Sequence, residues 1–241
     1  VAPAGQAARF RKELRKVARG LAGVRDCDVF LEEVNHYIET LSEEQRKNLE
    51  PLTNALHSER VAARSHMLTE LDSQRYANFK RDFAVFLTDH AEQWDTTLRV
   101  RDLGGSMIWK RYEELRAYET RVCMDNLVDN DDEILHEMRI EGKRLRYVLE
   151  FFGEHREALV KPVLKPLLTL QDCLGGIQDV AVARSFVTNL NAPAKKQQAL
   201  DDYVASREAQ RVRLLEQLPE LWYTITAKTY GRNLMELILN L

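Results

Sequence analysis

Leu135-His136-Glu137-Met138-Arg139-Ile140-Glu141-Gly142-Lys143-Arg144-Leu145-Arg146-Tyr147-Val148-Leu149-Glu150-Phe151-Phe152 separates into two faces when wound at about 100° per residue. Met138, Leu145, Val148, Leu149 and Phe152 gather on one side. His136, Arg139, Lys143, Arg146 and Tyr147 gather roughly opposite, with Arg144 on the flank. A solvated helix face is the ordinary reading of such cations. Against it, four cations within eight residues repel one another unless something negative lies nearby, and only Glu150 shares their side. The surface suits an anion.

Upstream, Asp125 to Asp132 is rich in acids and amides, which are poor in helix interiors but good at caps. It is the expected internal boundary, and Asp131 or Asp132 would open the His136 helix with its charge well placed on the dipole. Downstream, a break is expected at Gly153, then a helix from Val160 to Leu174 carrying Lys161 and Lys165 beside Pro162 and Pro166. A helix from about Gln178 to Leu190, a turn at Asn191-Ala192-Pro193, a long helix to about Leu218, a break at Pro219 and a last helix to Leu241 complete this half.

The first half opens with a second basic stripe. From Arg9 to Arg25 there are seven cations against the single acid Glu13. Phe10, Leu14, Val17, Leu21 and Val24 form the expected buried stripe, with Arg11, Lys12, Arg15 and Arg19 together on the other side. Ser42 with Glu44/Gln45 has the form of a capping box, and a helical pattern runs from there to Leu71, carrying Arg60, Arg64 and His66, with Pro51 as its one kink point. Phe79, Phe83 and Phe86 mark another helix, His90 to Gly104-Gly105 reads as a loop with partial helix, and Ile108 to Val122 resumes the helical period.

The chain has 241 residues, 44% of them apolar, enough for a sizeable core in one large or two smaller domains. Only 10 Gly and 6 Pro, with apolar residues recurring at three and four, predict an almost entirely helical protein. The 35 Lys+Arg against 38 Asp+Glu give a formal charge of −3, so any phosphate site must come from local segregation of charge. Cys27, Cys123 and Cys173 are an odd number at wide spacings, which favours neither a disulfide framework nor a zinc cluster and fits a reducing cytoplasm. No run has the length of a membrane span and no secretory leader is visible, so no membrane partner is expected.

Leu21-Ala22-Gly23-Val24-Arg25-Asp26-Cys27-Asp28-Val29 matches Leu174-Gly175-Gly176-Ile177-Gln178-Asp179-Val180-Ala181-Val182 at an offset of 153. Arg60, Arg64 and Leu68 fall on Arg207, Arg211 and Leu215 at an offset of 147. Two ordered matches predict two related helical bundles, 1–125 and 126–241, joined near 125 to 131. The same offset puts the counterpart of His136 before residue 1, so a first His-and-Arg helix is expected upstream of Val1.

His136-x-x-Arg139-x-x-x-Lys143-Arg144-Leu145-Arg146-Tyr147, followed by Leu170-Gln171-Asp172-x-Leu174-Gly175-x-Ile177-Gln178-Asp179, resembles the CHAD family, the conserved histidine α-helical domain. The resemblance extends through the repeat to Gly23-Val24-Arg25-Asp26 and its preceding basic helix. It implies two pseudo-twofold-related antiparallel bundles of the four-helix type, with His, Arg and Lys side chains lining a basic groove or pore that holds inorganic polyphosphate. It implies a non-catalytic module, associated with polyphosphate granules or with a triphosphatase domain or partner. A phosphate string carries repeated charge and offers no base edges to read, so several Arg and Lys side chains that release its counterions are what it needs.

Two rivals have residues of their own. Glu33-x-x-His36 and Glu133-x-x-His136 are the Glu-x-x-His element of di-metal bundles, but Arg139 lies one turn from His136 and opposes a cation there; no metal and no cofactor are expected. RNA or DNA would use the same cations and calls for stacking rings among them, for which Tyr147 is the well-placed residue. Asp26 and Asp179 read as structural residues.

Overall fold

The computed structural model describes residues 4–88, 99–121 and 132–241. All regular structure among them is helical: α1 (Ala4–Glu39), α2 (Glu43–Asn48), α3 (Glu50–Leu71), α4 (Gln74–Thr88), α5 (Val100–Arg116) with a 3-10 turn at Ala117–Thr120, α6 (Asp132–Gly153), α7 (Glu157–Thr188), α8 (Ala194–Thr226) and α9 (Lys228–Leu239). The expected all-α class is what these residues adopt. Cys123 and the expected junction at 125 to 131 lie outside the described residues, as does the 90–98 part of the expected loop.

The chain divides into two compact units. One takes Val1–Thr97 and Val187–Tyr203, the other Leu98–Phe186 and Val204–Leu241.

In the first unit, Phe10 of α1 meets the α4 rings of Phe79, Phe83 and Phe86 at centroid distances of 6.4, 5.2 and 4.7 Å. Farther along α1 the buried residues are Cys27, Phe30, Leu31 and Val34, which fall on a different side of the helix. Leu14 and Leu21 continue the Phe10 side and are each 45% exposed, so the stripe expected from Phe10 to Val24 is only partly buried. The helix changes partner along its 36 residues, from α4 near Phe10 to α3 at Gly23, whose Cα faces Ala63. Ser42 forms the expected capping box with Gln45, and Leu49 separates α2 from α3 just before Pro51, where a helix accepts proline.

In the second unit one apolar cluster runs through all its helices, including Ile108 and Leu115 of α5, Met138 and Leu145 of α6, Leu167 and Leu170 of α7, Trp222 of α8 and Leu234 of α9, each no more than 2% exposed. Each such side chain contributes about 1.5–3 kcal/mol of burial. Three expected breaks are absent. Gly104 and Gly105 lie inside α5, where a Cβ would stand 2.9 Å from Phe152 and Leu241 and 2.8 Å from Ile238, respectively. Gly175 and Gly176 lie inside a single helix, α7, and a Cβ on Gly176 would stand 2.7 Å from Leu214 of α8. Pro219 lies inside α8 between Leu218 and Trp222, both buried, so packing on either side of the proline carries the helix through the missing N–H. No glycine among the described residues has a positive φ; these are sites of close approach rather than turns.

Candidate functional site

α6 and α7 form an antiparallel hairpin closed where Arg156 N–H donates to the Gly153 carbonyl at 2.8 Å. At the closed end a Cβ on Gly153 would overlap Val160. Stepping away from it, a Cβ on Gly142 would lie 3.5 Å from the Gln171 amide nitrogen and one on Gly175 would lie 3.9 Å from Arg139 Nε. One turn farther, His136 Nδ1 stands 2.8 Å from Gln178 Oε1. Small residues thus let the two helices approach while the cations of α6 rise along the seam.

Of the α6 residues expected to bind, Arg139 and Lys143 are half-buried and have no ion-pair partner among the described residues. Arg144 is paired with Glu141, and Arg146 donates to Glu150 at 2.7 Å. That hydrogen bond raises the Arg146 guanidinium above its ordinary value. Tyr147 is 56% exposed, and Phe151, one turn on, is 71% exposed. The α7 lysines differ in setting: Lys161 and Lys165 are exposed beside a cleft of about 460 Å³ that Glu150, Glu154 and Glu157 also line, so acids outnumber cations there.

The two α8 arginines are engaged by other side chains. Arg207 is 8% exposed and donates to Gln210 at 2.8 Å. Arg211 donates to Asp132 Oδ1 at 2.7 Å, while Arg184, to which the sequence reading gave no role, donates to Asp132 Oδ2 at 2.7 Å and to Glu208 at 3.0 Å. Asp132 is thus an anchor as well as the opening residue of α6. Burial would raise its carboxyl, but the two guanidiniums outweigh that and hold it below its ordinary value.

In the first unit Arg11, Lys12, Arg15 and Arg19 are exposed on α1, and the first three have no ion-pair partner among the described residues. Arg19 Nε donates to the Arg15 carbonyl at 3.3 Å. Below them Glu13 holds both Lys16 and Arg75, which keeps its carboxyl below the ordinary value chiefly through the Lys16 hydrogen bond. Arg60 is paired with Asp28 at 2.5 Å, and Arg64 is exposed.

Gln178 is a residue of the motif to which the sequence assigns no role and the structure gives a contact with His136. Its signal was present, since Gln171 and Gln178 stand seven residues apart on one side of α7, but a polar residue facing a partner helix has no periodic signature of its own. As for a di-metal centre, His36 Nδ1 is 2.9 Å from the Glu32 carbonyl, His136 is engaged by Gln178, and no group of three metal-ligating side chains occurs among the described residues. No helix among them is long and apolar enough to cross a membrane. No curated protein matches this sequence. The family model described as CHAD domain matches residues 1–188, a span that holds the α1 stripe and the whole α6–α7 hairpin. The chain belongs to the CHAD domain family.

Proposed function

We propose that this protein binds inorganic polyphosphate, without altering it, through cationic surfaces on α6 and on α1. The observation that carries the reading is the pair Arg139 and Lys143: adjacent along α6, beside His136, and without a carboxylate partner among the described residues. Two guanidinium or ammonium groups kept free of acids in a protein of net charge −3 are suited to an anion supplied from outside. Arg11, Lys12 and Arg15 repeat the pattern on α1. Arg144 and Arg146 stand beside the pair already neutralised by Glu141 and Glu150, and we place buried Arg207 and acid-bound Arg60 and Arg211 outside the binding surface.

The test is the combined change Arg139→Glu and Lys143→Glu, measured by calorimetric titration with polyphosphate. Loss of two charge-assisted contacts weakens binding by about a hundredfold or more, with helicity unchanged by circular dichroism. The same charge change at exposed Lys228 and Arg232 of α9 is the control and leaves affinity within about twofold. Unaltered affinity in the α6 variant rejects this surface.

One observation favours a second reading. Tyr147 and Phe151 present two exposed rings a turn apart along the side of α6 that carries Lys143, and exposed rings beside cations suit the bases of single-stranded nucleic acid. Competition between polyphosphate and single-stranded RNA at fixed salt decides, and RNA winning overturns the polyphosphate assignment.

A further inference from the structure

His136 meets α7 through one ring nitrogen, Nδ1, 2.8 Å from the amide oxygen of Gln178. An amide oxygen has no hydrogen to give, so this contact is a hydrogen bond when Nδ1 carries the hydrogen, in the neutral ring or the charged one. A neutral ring has only that one hydrogen. Its other nitrogen, Nε2, is then a lone pair, which a phosphoryl oxygen avoids. Adding a proton converts the same edge into a charge-assisted donor.

We infer that Gln178 is a positioning residue that holds His136 in the Nδ1–H tautomer, so that His136 grips a phosphate only after taking up a proton. The inference rests on the polyphosphate reading and supplies its regulation: binding is tighter in acid than at neutral or alkaline pH. The charged groups neighbouring His136 and Gln178, with the partners that hold them, come from three helices and from Arg121 after the 3-10 turn. Along α6 they are Asp132, Glu133, Glu137 and Arg139; α7 brings Asp179 beside Gln178 and Arg184 one turn and a half on; α8 brings Arg211. Asp132 is held by Arg184 and Arg211, and Glu137 by Arg121. The carboxylates Asp132 and Glu137 are thus already engaged by arginines, and the proton that His136 takes up on Nε2 comes from water.

The experiment is calorimetric titration of the full chain with long-chain polyphosphate, whose internal groups stay ionised, between about pH 5 and 8, in buffers of differing ionisation heat. The wild type takes up protons on binding and loses about tenfold in affinity across the range. Gln178→Leu frees the ring to place its single hydrogen on Nε2, so affinity at the alkaline end rises above wild type and the pH slope shrinks. Gln178→Glu keeps an acceptor opposite Nδ1 and adds a carboxylate that favours the imidazolium, so the fall in affinity persists and moves to higher pH, which loss of packing alone would not do. His136→Asn, a donor that does not titrate, abolishes the slope. Ring nitrogen NMR shifts of the wild type at about pH 8 read the tautomer directly, whether or not the variants fold.

An Nε2–H tautomer in the wild type overturns the inference. So does an equal pH slope in wild type and a folded Gln178→Leu variant. Either result leaves polyphosphate binding standing. Absence of binding at every pH instead overturns the functional reading, and this regulation with it.

Discussion

Arg211 and Arg184 close on the two oxygens of Asp132 at 2.7 Å each, at the first residue of α6. The helix dipole favours a carboxylate there, and that much follows from the sequence. The two guanidiniums do not, since they arrive from 79 and 52 residues away, and helical periodicity reports only which residues share a helix face. The consequence is a pH dependence whose sign is fixed. Asp132 is held below its ordinary value in the fold, so its stabilisation is fully present above the unfolded-state carboxyl value and is lost as pH falls through the lower folded one. Asp132→Asn should therefore cost about 2 kcal/mol at neutral pH. Urea unfolding at neutral pH and again at about pH 3, near the carboxylate range, checks it, because the cost should shrink as the wild-type acid protonates. An equal cost at both values would show that the carboxylate charge plays no part. Arg139 and Lys143 follow the opposite logic. Both were legible as candidates from their place on the amphipathic helix, but that they lack acid partners while Arg146 and Arg144 have them depends on side-chain packing.

Helix identity was legible wherever apolar residues recur at three and four, as in α4 and α6 with their aromatic and leucine stripes. Helix ends were legible at Ser42 and Gly153, and misleading at Gly104-Gly105, Gly175-Gly176 and Pro219; Pro51, which reads as a kink within one helix, instead opens α3 after a break at Leu49. A glycine pair reads as a stop because each Gly costs a helix about 1 kcal/mol against Ala, yet in α5 and α7 that cost is offset by the side chains that the missing Cβ admits. The two glycines of α6 separate these roles. At Gly142 a methyl group would meet Gln171 at ordinary contact, 3.5 to 3.6 Å, so Gly142→Ala gains helix propensity without a clash and should raise stability by up to about 1 kcal/mol. At Gly153 the methyl would fall on Val160, a buried β-branched side chain with little rotamer freedom, so Gly153→Ala should destabilise by about 1–3 kcal/mol. Thermal unfolding of both variants checks the opposite signs. A destabilised Gly142→Ala would mean that the seam cannot take even one methyl group between α6 and α7.

Across the whole chain, the path between units was the least legible feature. Val187–Tyr203 counts with the first unit although the chain on either side of it counts with the second. Val187, Leu200 and Tyr203 are buried along it, and the Tyr203 ring meets Tyr37 of α1 at a centroid distance of 5.2 Å; a sequence pattern shows that such residues are buried but not in which core. Net charge is also a property of the whole. With −3 overall, a polyanion is repelled by most of this surface and held only where cations are segregated, so affinity has to come from few contacts and counterions released locally. The logarithm of affinity for polyphosphate should then fall linearly with the logarithm of salt concentration. For single-stranded chains each phosphate contact adds about 0.7 to that slope, so neutralising Arg139 and Lys143 together as glutamines should flatten it by about 1.4. Titrations of wild type and the double variant over a range of sodium chloride give both slopes. If the slopes are equal while the affinities differ, the two residues act through packing rather than by neutralising phosphate, and the α6 seam is not where the polyanion's charge is met.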